Sequence, residues 1–101
     1  METVRFAPEI MSRVARLVTL EGRVQGVGLR FTTKQLAREY EVAGTVRNLP
    51  DGRVELIVEG EPEEVAGFLT AIREGVLAGH IRREEMRSID VANLRGFVIL
   101  P

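Results

Sequence analysis

The sequence predicts one α+β domain whose strands and helices follow the order β-α-β-β-α-β. Three observations carry this prediction. An apolar, β-branched run leads through a glycine-rich turn into a helical pattern, two strand-like segments flank a Pro-Asp-Gly turn, and a second helical pattern precedes a further strand. This order is the split βαβ, or ferredoxin-like, pattern, which places two helices on one face of an antiparallel sheet.

The beginning of the chain divides into an extension and a first strand. Residues 1–12 show no sustained period and contain a proline, so we expect a flexible N-terminal extension there and a folded domain over residues 13–101. Residues 14–20 are mostly apolar and β-branched, which is typical of an interior strand. A turn with three glycines follows this strand.

The first helix is predicted from residue 29 onward. Small or apolar side chains recur there at helical spacing and form one buried face: Leu29, Thr33, Leu36, Ala37 and Tyr40. Residues 42–48 and 53–59 are then predicted to form two strands of an antiparallel hairpin. The turn between them contains Pro50, Asp51 and Gly52, and we expect Gly52 to adopt a left-handed conformation.

The second helix is predicted to begin at Pro62, since proline suits the first helical position and two glutamates follow it in the first turn. Its core face repeats at helical spacing: Val65, Phe68, Leu69 and Ile72. We expect this helix to end at Gly75 or Gly79. A charged strand within residues 81–91 and a short strand at 97–100 complete the domain.

The composition limits the classes of function. Of 101 residues 45% are apolar and 29% charged, as in an ordinary globular protein, and the net charge of −1 draws the chain to neither nucleic acid nor membranes. The absence of cysteine excludes disulfides, thiol nucleophiles and thiolate metal ligands. No apolar run approaches the roughly 20 residues that span a bilayer, and the N-terminus does not resemble a signal peptide. We therefore expect a cytoplasmic protein that uses no metal.

The glycine-rich turn is the strongest candidate for a binding site. It reads Gly22-Arg23-Val24-Gln25-Gly26-Val27-Gly28-Leu29-Arg30. Three glycines let the backbone wrap closely around a small group, and amides that converge before a helix favour an anion. The guanidinium of Arg30 is placed to close over a phosphate or carboxylate. The turn matches neither common nucleotide-binding pattern, so a tight strand-to-helix connection with an exposed arginine remains the plainer alternative on these residues alone.

Two blocks of the sequence resemble a known family. Residues 22–33 resemble the acylphosphatase signature G-x-V-Q-G-V-x-F-R-x-x-T, and residues 44–52 resemble the second block of that family, G-W-V-x-N-x-x-D-G. The blocks occur in the order and at the separation usual for the family, and the resemblance covers nearly the whole chain. It implies an enzyme that hydrolyses the carboxyl–phosphate anhydride of an acyl phosphate to a carboxylate and inorganic phosphate.

The resemblance also implies roles for individual residues. Arg30 matches the phosphate-binding arginine, Asn48 matches the asparagine that positions the attacking water, and Thr33 matches a hydroxyl position that we interpret as structural. The implied phosphate-binding loop consists of Gln25, Gly26, Val27, Gly28, Leu29 and Arg30. In such a site, amides and a guanidinium neutralise the phosphoryl oxygens while Asn48 orients a water in line, so no metal, nucleophilic side chain or other cofactor is expected.

Three positions depart from the family pattern. Leu29 replaces the usual Phe, Thr45 replaces the usual Trp, and Glu41 replaces a Gly that normally ends the first helix. We expect the first two changes to loosen or reshape the core beside the site. We expect Glu41 to give either an altered helix end or a strained one that costs about 1 kcal/mol.

Two alternative functions fit the same predicted fold. The runner-up is a module that binds phosphate or a carbamoyl-phosphate-like ligand without turnover, although the pair Arg30 and Asn48 favours catalysis. RNA-recognition domains stack bases on aromatic side chains of the sheet, but this chain has four Phe, one Tyr and no such motif. The expected partners are therefore an acyl phosphate and inorganic phosphate as product or inhibitor, with no nucleic acid or membrane, and the protein is expected to be a monomer.

Overall fold

The computed structural model describes residues 13–75 and 77–101. The expected N-terminal extension, residues 1–12, lies outside the described residues. The elements are β1 (Val14–Gly22), α1 (Leu29–Ala37), β2 (Val42–Asn48), β3 (Val54–Gly60), α2 (Pro62–Glu74), a 3₁₀ turn (Ala78–His80), β4 (Ile81–Ile89) and β5 (Phe97–Ile99). The predicted order of elements is confirmed. No helix in this described part of the chain is long and apolar enough to cross a membrane.

The five strands form one sheet in the order β4-β1-β3-β2-β5. Antiparallel pairing joins β4 to β1, β1 to β3 and β3 to β2, so the predicted interior position of β1 and the predicted hairpin are both confirmed. The short strand β5 pairs with β2 in parallel, which makes that edge of the sheet mixed. The connection from β4 to β5 consequently runs from one edge of the sheet to the other.

The core lies between the sheet and the two helices. Val18, Leu56 and Val46 stand side by side on neighbouring strands, and each is at most 1% exposed. The helices supply the facing residues Leu29, Thr33 and Ala37 from α1 and Val65, Phe68, Leu69 and Ile72 from α2. The ring of Phe68 makes edge-to-face contacts with Tyr40 at 6.0 Å and Phe97 at 5.6 Å between centroids. Burial of this apolar surface is the main force that holds the layers together.

Helix α1 ends earlier than its apolar pattern predicts. The helix stops at Ala37, and Tyr40 lies in the following turn, where its amide donates to the Ala37 carbonyl at 3.3 Å. Glu41 does not have a positive φ, so the helix end is altered rather than strained. The amide of Glu41 instead donates to Oε1 of Glu64 at 2.7 Å, a contact with α2 that local sequence does not indicate.

The departure at Thr45 lies on the opposite face of the sheet from the helices. Strand side chains alternate between faces, so Thr45 shares its face with its cross-strand neighbours Ile57 and Val98, whereas Asn48 projects to the helical side. The expectation that Thr45 reshapes the core beside the candidate site was therefore wrong. Leu29, by contrast, is 1% exposed and does belong to that core.

A buried carboxylate secures the connection between β4 and β5. Glu59, near the end of β3, is 1% exposed, and its carboxylate accepts hydrogen bonds from the amides of Ala92 and Leu94, the latter at 2.8 Å. The guanidinium of Arg13 lies 3.7 Å from the same carboxylate. A buried charge is tolerated only where donors replace its water, and these amides do so while fixing the crossing segment.

We predict that Glu59→Gln lowers the free energy of unfolding by about 1.5–3 kcal/mol. The side-chain NH2 group of Gln would face the backbone amides of Ala92 and Leu94, which are donors as well. Urea denaturation followed by circular dichroism measures this loss. Glu55→Gln is the matched control, since Glu55 on the same strand pairs with the exposed Arg47 at 2.9 Å and should cost less than about 1 kcal/mol. Equal losses in the two variants would contradict a special role for Glu59.

Candidate active site

The glycine-rich turn adopts backbone angles that side chains with a Cβ rarely reach. Gly26 and Gly28 both have φ of 79°, and Gly28 forms the N-cap of α1. A Cβ atom added at either position would meet nothing within 4 Å. The positive φ therefore favours glycine at both positions, and no neighbouring atom does. The two left-handed residues fold the chain back just before the helix begins.

This conformation leaves a run of backbone amides without acceptors. The first amide of the α1 region with a backbone partner is that of Thr32, which donates to the Gly28 carbonyl at 2.9 Å. The amides of residues 25–31 have no backbone acceptor among the described residues. The start of a helix always leaves such donors, and its dipole adds positive potential there. The turn therefore presents several donors that no backbone acceptor in the described part of the chain satisfies.

The amide-rich turn and the end of β2 form one pocket of about 190 Å³. Its lining combines glycines of the turn, two polar side chains and an apolar wall: Val24, Gly26, Gly28, Leu29, Arg30, Phe31, Asn48 and Ile99. The structure thus brings Arg30 and Asn48, which are far apart in the sequence, to the same pocket. Of the predicted loop, Gln25 and Val27 do not line it.

Within residues 13–75 and 77–101, the neighbouring arginines form ion pairs and Arg30 does not. Arg47 pairs with Glu55 at 2.9 Å and Arg53 pairs with Asp51 at 2.8 Å, whereas no ion pair involving Arg30 occurs in the described part of the chain. The backbone amide of Arg53 donates to the Asp51 carboxylate and, with the Arg53 guanidinium, lowers the pKa of Asp51 below its ordinary value. The Asp51 carboxylate in turn keeps the Arg53 guanidinium in this ion pair.

The buried oxygen of Asn48 also lacks a partner. Its Oδ1 atom is enclosed, and no hydrogen-bond donor reaches it from the described residues. An acceptor in a pocket otherwise rich in donors is unsuited to a phosphate oxygen but suited to the hydrogen of a water molecule. Arg30 and Asn48 thus offer complementary chemistry.

Gln25 joins the two halves of the site. Its side-chain amide donates to the carbonyl of Leu49 at 2.9 Å and to that of Arg53 at 2.9 Å. These carbonyls belong to the turn that follows Asn48, in which Gly52 has a φ of 97° as predicted. The side chain of Gln25 therefore holds the amide-rich turn at a fixed position relative to Asn48.

Comparison with known proteins identifies the chain. The acylphosphatase family model matches residues 16–99. The chain belongs to the acylphosphatase family. It is 39% identical over 90 residues to an acylphosphatase of Thermococcus kodakarensis, with 89% of this chain and 99% of that protein covered, and 36% identical over 86 residues to one of Archaeoglobus fulgidus, with 85% and 97% covered. An acylphosphatase structure from Coxiella burnetii matches with a TM-score of 0.83 at 26% identity, covering 94% of this chain and 100% of that one.

These similarities establish the protein as an acylphosphatase, an enzyme whose substrate is a small acyl phosphate. They favour the enzyme over the module that binds without turnover. Two residues that line the pocket, Phe31 and Ile99, were not singled out from the sequence, and Val24 belonged to the candidate turn but not to the implied phosphate-binding loop. Phe31 could have been identified from the sequence, because it directly follows Arg30 and does not belong to the apolar face of α1.

We predict that Gln25→Ala lowers the free energy of unfolding by about 1–2 kcal/mol and reduces kcat several-fold, because the turn after Asn48 loses both braces. Thermal or urea unfolding and steady-state hydrolysis of an acyl phosphate measure the two effects. Gln35→Ala, at an exposed position of α1, should change neither. A stable Gln25→Ala protein with full activity would argue against the bracing role.

Proposed function

We propose that this acylphosphatase binds the phosphoryl group of its substrate in the loop of residues 25–30 and cleaves the anhydride by in-line attack of a water that Asn48 positions. The observation that carries the proposal is a run of amides that have no backbone acceptor among the described residues, in the same pocket as the side chain of Asn48, whose Oδ1 no described donor reaches. The two features have opposite polarity, as a phosphoryl group and a water molecule require.

The loop and Arg30 bind the phosphoryl group. Amides before a helix supply several hydrogen bonds to equatorial oxygens, and Arg30 adds a full positive charge with a planar fork of donors. Charge that develops on these oxygens in the transition state meets groups already in position, so little reorganisation accompanies the reaction. The absence of a competing ion pair at Arg30 in the described residues supports this assignment.

Asn48 acts through orientation. Its side-chain amide forms a hydrogen bond with the water and holds the water oxygen in line with the bond that breaks. An amide is too weak a base to remove a proton before attack. A carboxylate is a good leaving group, however, and the electrophilic phosphoryl group is already neutralised, so positioning is the contribution that the reaction needs.

The remaining parts of the proposal concern the setting of the reaction. Arg30 and the amides supply the positive charge that a metal provides in other phosphoryl-transfer enzymes, so we propose catalysis without a metal. All residues assigned to the site belong to one chain, which is compatible with an active monomer. A chain without cysteine is compatible with the cytoplasm, which we propose as its location.

We predict that Arg30→Ala lowers kcat/KM for an aromatic acyl phosphate by at least about 10²-fold and weakens competitive inhibition by inorganic phosphate about tenfold or more. Arg30→Lys should recover only part of either quantity, because an ammonium group lacks the planar fork. Assays run with and without a chelator measure hydrolysis and test the proposed independence from metals.

Arg38→Ala is the matched control, since Arg38 is an exposed arginine at the other end of α1. It removes the same charge and should leave both constants within about twofold. Phosphate inhibition that persists unchanged in Arg30→Ala would remove Arg30 from the binding site, and loss of wild-type activity in chelator would overturn the metal-free mechanism.

We predict that Asn48→Ala lowers kcat by about 10²-fold while inhibition by phosphate changes less than about threefold, because only the water loses its partner. Steady-state kinetics with phosphate as inhibitor separate the two effects. If phosphate affinity fell as much as kcat, Asn48 would bind the phosphoryl group rather than the water.

A further inference from the structure

The pocket has a second wall that phosphate chemistry does not use. Glycines of the loop, Arg30 and Asn48 supply the polar part, while Val24, Leu29, Phe31 and Ile99 supply an apolar part of the same pocket. Inorganic phosphate carries no apolar surface and fills only part of about 190 Å³. The apolar wall therefore faces whatever is attached to the phosphoryl group.

Within that wall, Phe31 has the most apolar surface left to cover. Val24 and Leu29 are each 1% exposed, so their contacts are already made within the core, and Ile99 is half-buried. Phe31 is 61% exposed, more than any other large apolar side chain in the described ranges. An aromatic ring is removed from water in this pocket only when a ligand covers it.

Helix geometry explains why the ring stays exposed beside the phosphate-binding turn. Leu29 and Thr33 of α1 point into the core, and Phe31 lies two positions from each, about 200° around the helix axis. It cannot join the core without rotating the helix. Arg30 and Phe31 nevertheless both line the same pocket.

We infer that Phe31 binds the acyl group of the substrate, so that this enzyme prefers acyl phosphates with aromatic or bulky aliphatic acyl groups over small ones such as acetyl phosphate. The inference rests on the proposed function, because it requires the phosphoryl group to lie in the loop of residues 25–30. The backbone loop recognises only the phosphoryl group, and Phe31 adds discrimination among the carboxylates attached to it.

Binding of two inert phosphonates tests the contact without catalysis. Benzylphosphonate and methylphosphonate share one anionic head group and differ in the apolar group that it carries. We expect benzylphosphonate to bind the wild-type protein about tenfold more tightly, as covering part of one ring predicts. Phe31→Ala should remove most of this preference and leave methylphosphonate affinity within about twofold, and Phe31→Tyr should restore the preference.

Met86→Ala is the matched control, because Met86 is 51% exposed but lines a different groove, against α2. It should retain the full preference. Hydrolysis gives a parallel measurement, in which Phe31→Ala should lower kcat/KM for benzoyl phosphate about tenfold and that for acetyl phosphate less than twofold. Equal wild-type affinity for the two phosphonates, or an undiminished preference in Phe31→Ala, would overturn the inference.

Phosphonate binding by Arg30→Ala and by Phe31→Ala separates this inference from the proposed function. If Arg30→Ala abolished binding of neither phosphonate, the assigned phosphate site would be wrong whatever Phe31 does. If Arg30→Ala abolished binding of both and Phe31→Ala left their ratio unchanged, the phosphate site would stand and the acyl contact would be wrong.

Discussion

Unpaired backbone amides at the start of α1 impose the main constraint on this structure, because donors without acceptors are costly unless solvent or a ligand satisfies them. Gly26 and Gly28 create the constraint by taking left-handed angles, and the amides of residues 25–31 find no backbone acceptor in the part of the chain that the structure describes. The turn is then held from two sides, by Leu29 buried in the core and by Gln25 bound to the carbonyls of the β2–β3 turn. An anion site made of backbone therefore depends on packing and hydrogen bonds outside it for its shape.

The candidate site and the buried carboxylate of Glu59 lie at opposite ends of the sheet. Asn48, the last residue of β2, pairs with Val54 at the end of the sheet that lies beside the start of α1. The pocket lies at this end. Glu59 lies near the other end of β3, between Ala15 and Ala43, where it binds the connection from β4 to β5. Because these groups share no partners, changes at one end should be nearly additive with changes at the other. Strand β3 thus tolerates the pocket at one end and the buried carboxylate of Glu59 at the other.

Local chemistry predicted the features that depend on a few neighbouring residues. The positive φ of Gly52, the helix start at Pro62 and the glycine turn before α1 follow from residue types at defined positions. Features set by distant partners could not be predicted in this way. The end of α1 depends on a contact between Glu41 and Glu64, and β5 joins in parallel because a long connection carries it across the sheet. The face of the sheet on which Thr45 lies could not be predicted either, because β2 contains small and apolar residues on both faces.

A binding loop made of backbone also limits where substrate preference can arise. In the proposed site the amides bind the phosphoryl group, which every acyl phosphate shares, so they do not distinguish one carboxylate from another. Discrimination must come from side chains at the rim of the pocket, and such side chains can vary without disturbing the loop, provided that they lie outside the core. Phe31 meets this condition, because it projects from the first turn of α1 while Leu29 and Thr33 hold the helix to the sheet. In the proposed arrangement, one face of this helix therefore fixes the phosphate site and the other face offers a replaceable contact for the acyl group.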